Sequence, residues 1–358
     1  MRRAAGLAVV LLLAACSGRP EGVVPYAAAP EMRAMLEAQA SPAVGTLPVD
    51  VARLAPTVGD GVRAVQLVRD LPVRPAPAVV TQDVMVAGAE GPIGARVYTP
   101  PGVAMPAPVV VYFHGGGWDT GSIDTDDAVA RGLAVGVGAV VVSVTYRLAP
   151  EARFPAAHDD ADAAFGWVVA HAGDVGGDAR RVAVAGSDAG GSLALAVALD
   201  ARDRRRAEPV HVLLVEPVAG TDLSGAAELA GARPLGTAGV AWWLDQYARS
   251  PADLRDRRLD LVARPDLAGL PPVTLVLSQI DPLRSGGAVL GQRLAAAGVG
   301  VEARVFPGVT HGFMEAAALV PEAREAMGFA AGRLRAAFAA VPAPVPEVRR
   351  VMRRGRRR

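Results

Sequence analysis

The chain has 358 residues, of which 51% are hydrophobic and only 4% aromatic, and its formal net charge is +1. This length and composition fit a large globular domain whose core consists mainly of small aliphatic side chains. The balanced charge excludes the bulk electrostatic signature of a nucleic-acid-binding protein or a strongly acidic one. We therefore expect no nucleic-acid partner.

The N-terminus has the pattern of a bacterial export signal. Arg2 and Arg3 precede an apolar run over residues 6–15, which is too short to span a bilayer. The run ends at Cys16, the only cysteine in the chain, and this arrangement resembles the lipoprotein signal. We expect residues 1–15 to be a signal peptide and Cys16 to carry lipid that anchors the protein in a bacterial cell envelope. An ordinary secretory signal is the alternative.

Residues 16–78 lead into the regular part of the chain. Small and proline-containing residues at 16–30 predict a tether. Amphipathic segments at 31–39 and 60–69, separated by prolines, predict cap helices over residues 31–78. A poorly ordered extension is the alternative for this segment. Residues 79–86 and 95–100 are predicted to be edge strands.

From residue 108 onward, valine-rich strands alternate with helices. Strands are predicted at 109–113, 139–144, 182–185, 210–215, 273–278 and 301–306. Helices are predicted at 126–135, 159–172, 191–201, 287–297 and 321–339. Apolar strands alternating with helices favour an α/β fold, with a mostly parallel, twisted sheet covered by helices on both faces.

Two further segments interrupt or end this alternation. Residues 222–265 contain Trp242, Trp243 and Tyr247, and we expect a cap insertion over the site there. A surface excursion whose aromatics only pack locally is the alternative. Residues 341–358 are proline-rich and then strongly basic, which predicts a disordered tail. Contact of this tail with anionic lipid headgroups is the alternative.

Groups that suit hydrolysis follow four of the predicted strands. The sequence HGGGW at 114–118 comes first, and consecutive glycines let backbone N–H groups approach a substrate oxygen. Residues 181–200 predict a strand, a tight turn and a helix, an arrangement that presents a nucleophile. Asp281 and His311 follow later strands. The order nucleophile, acid, histidine is that of α/β-hydrolases, in which Asp281 would orient His311 as general base.

No group of His, Asp or Glu has the sequence spacing of metal ligands, so we predict no metal site. The other histidines, His158, His171 and His211, lack a comparable context and are interpreted as structural.

Together these motifs resemble the hormone-sensitive-lipase-like family of α/β-hydrolase esterases. The resemblance covers residues 95–340 and includes further family motifs, namely YRLAPE at 146–151, FPAA at 154–157, DLAGLPP at 266–272, DPLR at 281–284 and HGF at 311–313. It implies an α/β-hydrolase domain over residues 79–340 with an eight-stranded sheet and a helical cap. It also implies hydrolysis of carboxylic esters, often with short acyl chains, without a cofactor, and an oxyanion hole formed by Gly115, Gly116 and the N–H of Ala189.

The chain departs from this family at the nucleophile. The family has the sequence GDSAGG, whereas residues 186–191 read GSDAGG, with the two central residues exchanged. Asp188 therefore stands in the slot of the nucleophilic serine. A carboxylate leaves a tetrahedral intermediate far more readily than an alkoxide does, so Asp188 predicts poor ester turnover. A second departure follows Arg284, where an acidic pair is replaced by Ser285 and Gly286.

Three interpretations of the exchange stay open. The first, which we favour because the glycines and the pair of Asp281 and His311 are intact, is an esterase with impaired activity. The second is a non-catalytic binding protein that keeps the pocket. The third is a hydrolase in which Asp188 attacks saturated carbon. A shift of the turn by one residue would instead make Ser187 the nucleophile, but it would exchange the two faces of the strand.

Overall fold

Eight strands form one sheet at the centre of the computed structural model, which describes residues 26–72 and 78–342. The strands are β1 (Val80–Gly88), β2 (Gly91–Thr99), β3 (Ala107–Phe113), β4 (Val140–Val144), β5 (Gly177–Ser187), β6 (Val212–Val215), β7 (Val273–Ile280) and β8 (Val301–Thr310). Their order across the sheet is β1-β2-β4-β3-β5-β6-β7-β8. Strands β3 to β8 are parallel, and β2 runs antiparallel to both of its neighbours.

The helices are α1 (Pro30–Gln39), α2 (Val49–Ala52), α3 (Val58–Val68), α4 (Asp127–Val137), α5 (Ala156–Ala170), α6 (Ala189–Asp203), α7 (Thr237–Tyr247), α8 (Arg284–Ala296) and α9 (Pro321–Ala340). Side chains of β3 alternate between two separate hydrophobic cores, with Val109 and Val111 in one and Val110 and Tyr112 in the other. The first core is completed by α5, α6, α7 and α8, and the second by α1, α3, α4 and α9. Helices thus cover both faces of the sheet, as predicted.

One predicted edge strand is not at an edge. Strand β2 pairs with β1 on one side and with β4 on the other, where Ala95 lies opposite Val144. The prediction for residues 95–100 was therefore wrong, and only β1 of this pair is an edge strand. The physical reason is that backbone pairing with β4 fills the side of β2 that an edge strand would leave open. Tyr98 of β2 is also fully buried, and it donates to Asp127 of α4 at 3.0 Å.

Two segments outside the sheet cover its carboxyl end. Arg53, which follows α2, donates to the carbonyls of Asp119 at 2.8 Å and Ala149 at 2.7 Å, and it pairs with Glu151 at 2.8 Å. These bonds hold the N-terminal segment against the loops that follow β3 and β4. Helix α7 lies in the predicted insertion, and its Tyr247 stacks on Trp118 with ring centroids 4.7 Å apart.

Several predictions concern residues that the structure does not describe. The signal peptide at 1–15, the lipidation site Cys16, most of the tether and most of the basic tail lie outside the described residues. Within the described part, every helix is too short or too polar to cross a membrane.

Candidate active site

The strand, turn and helix predicted at residues 181–200 are β5, Asp188 and α6. Asp188 has φ = 53° and ψ = −117°, a conformation that is strained for a residue with a side chain. Its N–H donates to Val215 O at 2.8 Å, and its carbonyl accepts from Ser192 N and Val218 N, each at 3.2 Å. These bonds fix the turn at the carboxyl end of the sheet, where a side chain can meet a ligand.

Small residues are required on both sides of this turn because the backbone closes on itself there. A Cβ atom on Gly186 would lie 2.1 Å from the carbonyl oxygen of Gly190, and one on Gly190 would lie 2.1 Å from that of Phe113. Both distances are far below a van der Waals contact. The frame Gly-x-x-x-Gly is therefore centred on Asp188.

The Asp188 carboxylate faces the glycine-rich loop that follows β3. Gly116 and Gly117 have φ of 106° and 60°, which turns their N–H groups toward the carboxylate. Both N–H groups donate to Asp188 Oδ2, each at 2.8 Å. The N–H of Gly115 points instead to Asp126 Oδ2 at 3.3 Å. Because of this backbone turn, the donor pair lies one residue later than the predicted pair of Gly115 and Gly116.

Asp281 and His311 meet because their strands are parallel neighbours. Each residue directly follows a strand, and a register shift near the end of this pair brings Ile280, the last residue of β7, opposite Thr310, the last residue of β8. Asp281 Oδ2 lies 3.0 Å from His311 Nδ1. Ser278 Oγ donates to Oδ2 at 3.2 Å and Leu283 N donates to Oδ1 at 2.8 Å, which fixes the carboxylate. This is the geometry of a carboxylate that orients an imidazole.

Ser187, the alternative nucleophile, lies at the end of β5 and not at the turn. Its Oγ is 2.7 Å from the hydroxyl of Tyr112, which donates to Asp126 Oδ2 at 2.7 Å. Ser187 thus belongs to a hydrogen-bonded chain that ends on a carboxylate. The structure places Asp188, rather than Ser187, in the strained position between strand and helix.

Carboxylates dominate the electrostatics of His311. Burial lowers the pKa of His311, but Asp281, Glu216 and Asp188 outweigh burial and raise this pKa to about 10. The carboxylates thus favour the imidazolium form of His311, which cannot accept a proton. Burial also raises the pKa of Asp188, against the opposing effects of His311 and of the N–H groups of Gly117, Gly116 and Ala189.

Glu216 was not among the residues predicted from sequence. It directly follows β6, so the rule that located Asp281 and His311 at strand ends also applies to it. The residue is only 2% exposed. Its Oε2 accepts from Gly312 N at 2.8 Å and lies 3.9 Å from His311 Nδ1. Burial raises the pKa of Glu216 to about 8, and Asp281 adds to this effect against the opposing charge of His311.

A cavity of about 230 Å³ opens beside Asp188 and His311. Its ionisable lining residues are Arg53, Asp126, Asp188, Glu216, His311 and Glu315. Trp242 and Trp243 of α7 line the same space, as do residues between α1 and α3. The Trp243 ring lies 5.9 Å from that of His311. Both the N-terminal segment and the insertion therefore contribute walls to the cavity.

One group of described residues has the compactness of a metal site. Single ligand atoms from Glu216, Asp281 and His311 all lie within 4.8 Å of one another. Nδ1 of His311 and Oδ2 of Asp281 are, however, joined to each other by a hydrogen bond of 3.0 Å. We therefore assign this group to proton chemistry and not to metal binding.

Comparison with known proteins agrees with this geometry. Residues 110–315 match the family described as alpha/beta hydrolase fold. Esterase LipI of Mycobacterium tuberculosis is 43% identical over 282 residues, which cover 75% of this chain and 87% of LipI. Carboxylesterase NlhH of the same species is 43% identical over 252 residues, which cover 69% of this chain and 79% of NlhH.

A solved structure, that of a hyperthermophilic esterase from the archaeon Pyrobaculum calidifontis, aligns with a TM-score of 0.76 at 34% identity. The alignment covers 87% of this chain and 98% of that one. The predicted fold class is thereby confirmed. From its motifs, its sheet and these relatives, the chain belongs to the hormone-sensitive-lipase-like family of α/β-hydrolases.

Proposed function

We propose that this protein is a carboxylic ester hydrolase that acts on small esters and whose turnover is impaired by Asp188. The ester chemistry is supported by relatives named as esterases at 43% identity and by the pairing of Asp281 with His311 at 3.0 Å. The impairment rests on one observation. Asp188 Oδ2 accepts hydrogen bonds from both Gly116 N and Gly117 N, at 2.8 Å each.

The first obstacle to turnover is that the amide donors are occupied. In ester hydrolysis such N–H groups stabilise the negative charge that develops on the carbonyl oxygen of the substrate. An ester carbonyl must therefore displace Asp188 Oδ2 from Gly116 and Gly117 before it is polarised. Loss of one such donor typically slows catalysis by about 10²–10³-fold, and here both are engaged.

The second obstacle is the chemistry of the nucleophile. Attack by the Asp188 carboxylate on an ester carbonyl gives a tetrahedral intermediate that must expel either the alkoxide or the aspartate. The acid of the aspartate has a pKa of about 3.9. The hydroxyl of an alcohol is a far weaker acid, comparable to water at about 15.7. The intermediate therefore returns to the starting ester. The third obstacle is the raised pKa of His311, which favours a protonated ring that cannot serve as a base.

A second candidate function is alkyl transfer to Asp188, and a specific feature favours it. Asp188 Oδ2 is held by two N–H groups, whereas Oδ1 is buried without a hydrogen-bond partner. Oδ1 therefore has no hydrogen bond to break before it attacks a saturated carbon, although the side chain must first turn this buried atom toward the cavity. The attack expels a halide with its bonding electrons and forms an alkyl ester. Hydrolysis of that ester needs a water molecule and a base, and the imidazolium of His311 does not supply the base.

We further propose that the protein is exported and anchored to a membrane by lipid on Cys16. The support is the sequence alone, namely two arginines, a short apolar run and a cysteine at its end.

Anchoring is tested in bacterial cells that process lipoproteins. Cys16→Ala removes the lipid acceptor, so we expect the variant to leave the membrane fraction and to lose incorporation of labelled palmitate. Ser17→Ala is the matched control and should behave like the wild type. Unchanged membrane fractionation and labelling of Cys16→Ala would contradict the proposal.

The protonation of His311 is tested by NMR. Because Asp281, Glu216 and Asp188 raise its pKa to about 10, the ring of His311 should stay charged from pH 6 to pH 9. Its ¹⁵N shifts, assigned by comparison with His311→Ala, report the titration. Asp281→Asn should lower the midpoint. His158, whose pKa burial lowers to about 3, should stay neutral throughout this range. A His311 midpoint near 6.5 would contradict our account of the impairment.

The role of Asp188 is tested by restoring a hydroxyl at the turn. Asp188→Ser frees the N–H groups of Gly116 and Gly117 and removes one carboxylate near His311. We expect kcat/KM on p-nitrophenyl acetate to rise by at least about 10²-fold, the effect of a recovered oxyanion donor. The exchange Ser187→Asp/Asp188→Ser should give a similar gain, and His311→Ala in either background should abolish it.

Two outcomes of the same assay would contradict the proposal. The first is equal activity of the wild type and both serine variants, since Asp188 would then not limit turnover. The second is wild-type activity that is lost in Ser187→Ala, since Ser187 would then be the nucleophile.

Alkyl transfer is tested by incubation with 1-bromobutane followed by intact-mass measurement. We expect one added butyl group, located on the tryptic peptide 182–202 that contains Asp188. The ester should persist because His311 cannot activate water. Asp188→Asn should gain no mass on this peptide. Absence of the adduct on folded wild-type protein would exclude this second function.

A further inference from the structure

One buried carboxylate beside the cavity has no role in the proposed reaction. Asp126 directly precedes α4 and is only 3% exposed. Its carbonyl accepts from Val129 N at 3.0 Å and from Ala130 N at 3.1 Å, and both of these residues are buried in the second core. The first turn of α4 therefore holds the backbone of Asp126 in a fixed place next to the site.

The Asp126 carboxylate accepts hydrogen bonds from three groups of its own chain. Oδ2 accepts from the hydroxyl of Tyr112 at 2.7 Å and from Gly115 N at 3.3 Å. Thr125 Oγ1 donates to Oδ1 at 3.2 Å. Two of these bonds join Asp126 to the end of β3 and to the glycine-rich loop that follows it.

The bond to Gly115 bears on which amides of that loop face the turn. Gly115 N points to Asp126, whereas the N–H groups of Gly116 and Gly117 point to Asp188. Three consecutive glycines allow many backbone conformations, so contacts from outside the loop must select one. Asp126 supplies such a contact at the amide that does not face Asp188.

The loop and the turn also lie directly against each other. A Cβ atom on Gly115 would lie 3.2 Å from Cβ of Asp188, which is closer than most real contacts of this kind. A displacement of Gly115 would therefore change the position of the next two amides relative to the turn.

A second connection runs from Asp126 to the strand that precedes the turn. Ser187 Oγ lies 2.7 Å from the hydroxyl of Tyr112. Burial, and then the charge of Asp126, raises the pKa of Tyr112 far above its usual value, so this hydroxyl keeps its proton and donates it to Asp126. Ser187 is then the donor to Tyr112 Oη. Through Tyr112, Asp126 thus holds the residue next to Asp188.

We propose that Asp126 is a positioning residue that fixes the oxyanion loop and the nucleophile turn relative to each other. It acts on the loop through Gly115 and on the turn through Tyr112. A displacement of about 1 Å between such groups can slow catalysis on the order of 10²-fold. This role rests on the proposed ester hydrolysis, because the amides of Gly116 and Gly117 form an oxyanion hole only in that reaction.

The first test is amide hydrogen exchange followed by NMR on the full-length protein, which needs no turnover. Asp126→Ala removes the bond to the loop, so local opening should become more frequent. We expect the amides of Gly116 and Gly117 to exchange at least about tenfold faster, the worth of one hydrogen bond. The Asp126 side chain does not cap α4, so the helix itself keeps its bonds in this variant.

Asp124→Ala is the matched control for this measurement. The Asp124 side chain is 80% exposed and pairs with Arg96, away from the glycine-rich loop. Its removal should leave the exchange of the loop amides unchanged. If Asp126→Ala does not fold by circular dichroism, Asp126→Ser takes its place, because a serine hydroxyl is too short to reach both donors.

The second test is kinetic and uses the Asp188→Ser background. There Asp126→Ala should lower kcat on p-nitrophenyl acetate by at least about tenfold and leave KM within about twofold, since positioning acts on the transition state. Asp126→Asn keeps an acceptor oxygen for Tyr112 and Gly115 and removes only the charge. It should therefore stay within about threefold of its parent.

Three outcomes would overturn the proposal. Unchanged exchange of the loop amides in folded Asp126→Ala would show that Asp126 does not fix the loop. Equal losses of kcat in Asp126→Asn and Asp126→Ala would assign the effect to charge and not to position. A rise in KM at unchanged kcat would place Asp126 in contact with the substrate. If Asp188→Ser itself shows no turnover, the proposed function fails, while the exchange measurement still decides whether Asp126 fixes the loop.

Discussion

Two hydrogen bonds from Gly116 and Gly117 hold the Asp188 carboxylate at the turn between β5 and α6. The turn itself places Asp188 at φ = 53°, so the backbone and the side chain are both fixed. Every other feature of the site is arranged around this anion. His311 is charged partly because Asp188 is near, and the cavity is acidic partly because Asp188 lines it.

The parallel sheet brings many ionisable groups to one place. Strands β3, β5, β6, β7 and β8 all end at the same edge, and each is followed by a polar or glycine-rich stretch. The N-terminal segment and the insertion that contains α7 cover this edge and reduce its contact with water, so charges that meet there interact strongly. The hydrolase framework thus places a second acid beside His311, with Glu216 Oε2 3.9 Å from His311 Nδ1.

The sequence predicted the sheet well because its strands are buried on both faces. A continuous valine run such as that of β4 is typical of a strand covered on both sides, and every residue of β4 is buried. The prediction that residues 95–100 form an edge strand was wrong because pairing partners depend on tertiary topology, which local composition does not reveal. Asp281 and His311 were predicted from strand ends, and the structure brings them together.

Other parts of the site could not be predicted for different physical reasons. The donor pair at Gly116 and Gly117 depends on backbone dihedral angles, and three consecutive glycines leave those angles undetermined. The sequence shows that Glu216 directly follows a strand. Its burial beside His311, however, depends on how β6 and β8 are arranged on either side of β7. The exchange at residues 187 and 188 was visible in the sequence. That Asp188 accepts hydrogen bonds from Gly116 and Gly117 is shown only by the structure.

Hydrolysis of an ester releases a carboxylic acid, and that acid must depart from the amides that stabilised its formation. In this protein the amides of Gly116 and Gly117 hold a carboxylate that belongs to the chain and cannot diffuse away. The molecule is consequently fixed in an arrangement that resembles a product complex. Free fatty acids around the protein cannot bind to these occupied amides. Their accumulation should therefore not inhibit this protein in the way that a product inhibits an ordinary esterase.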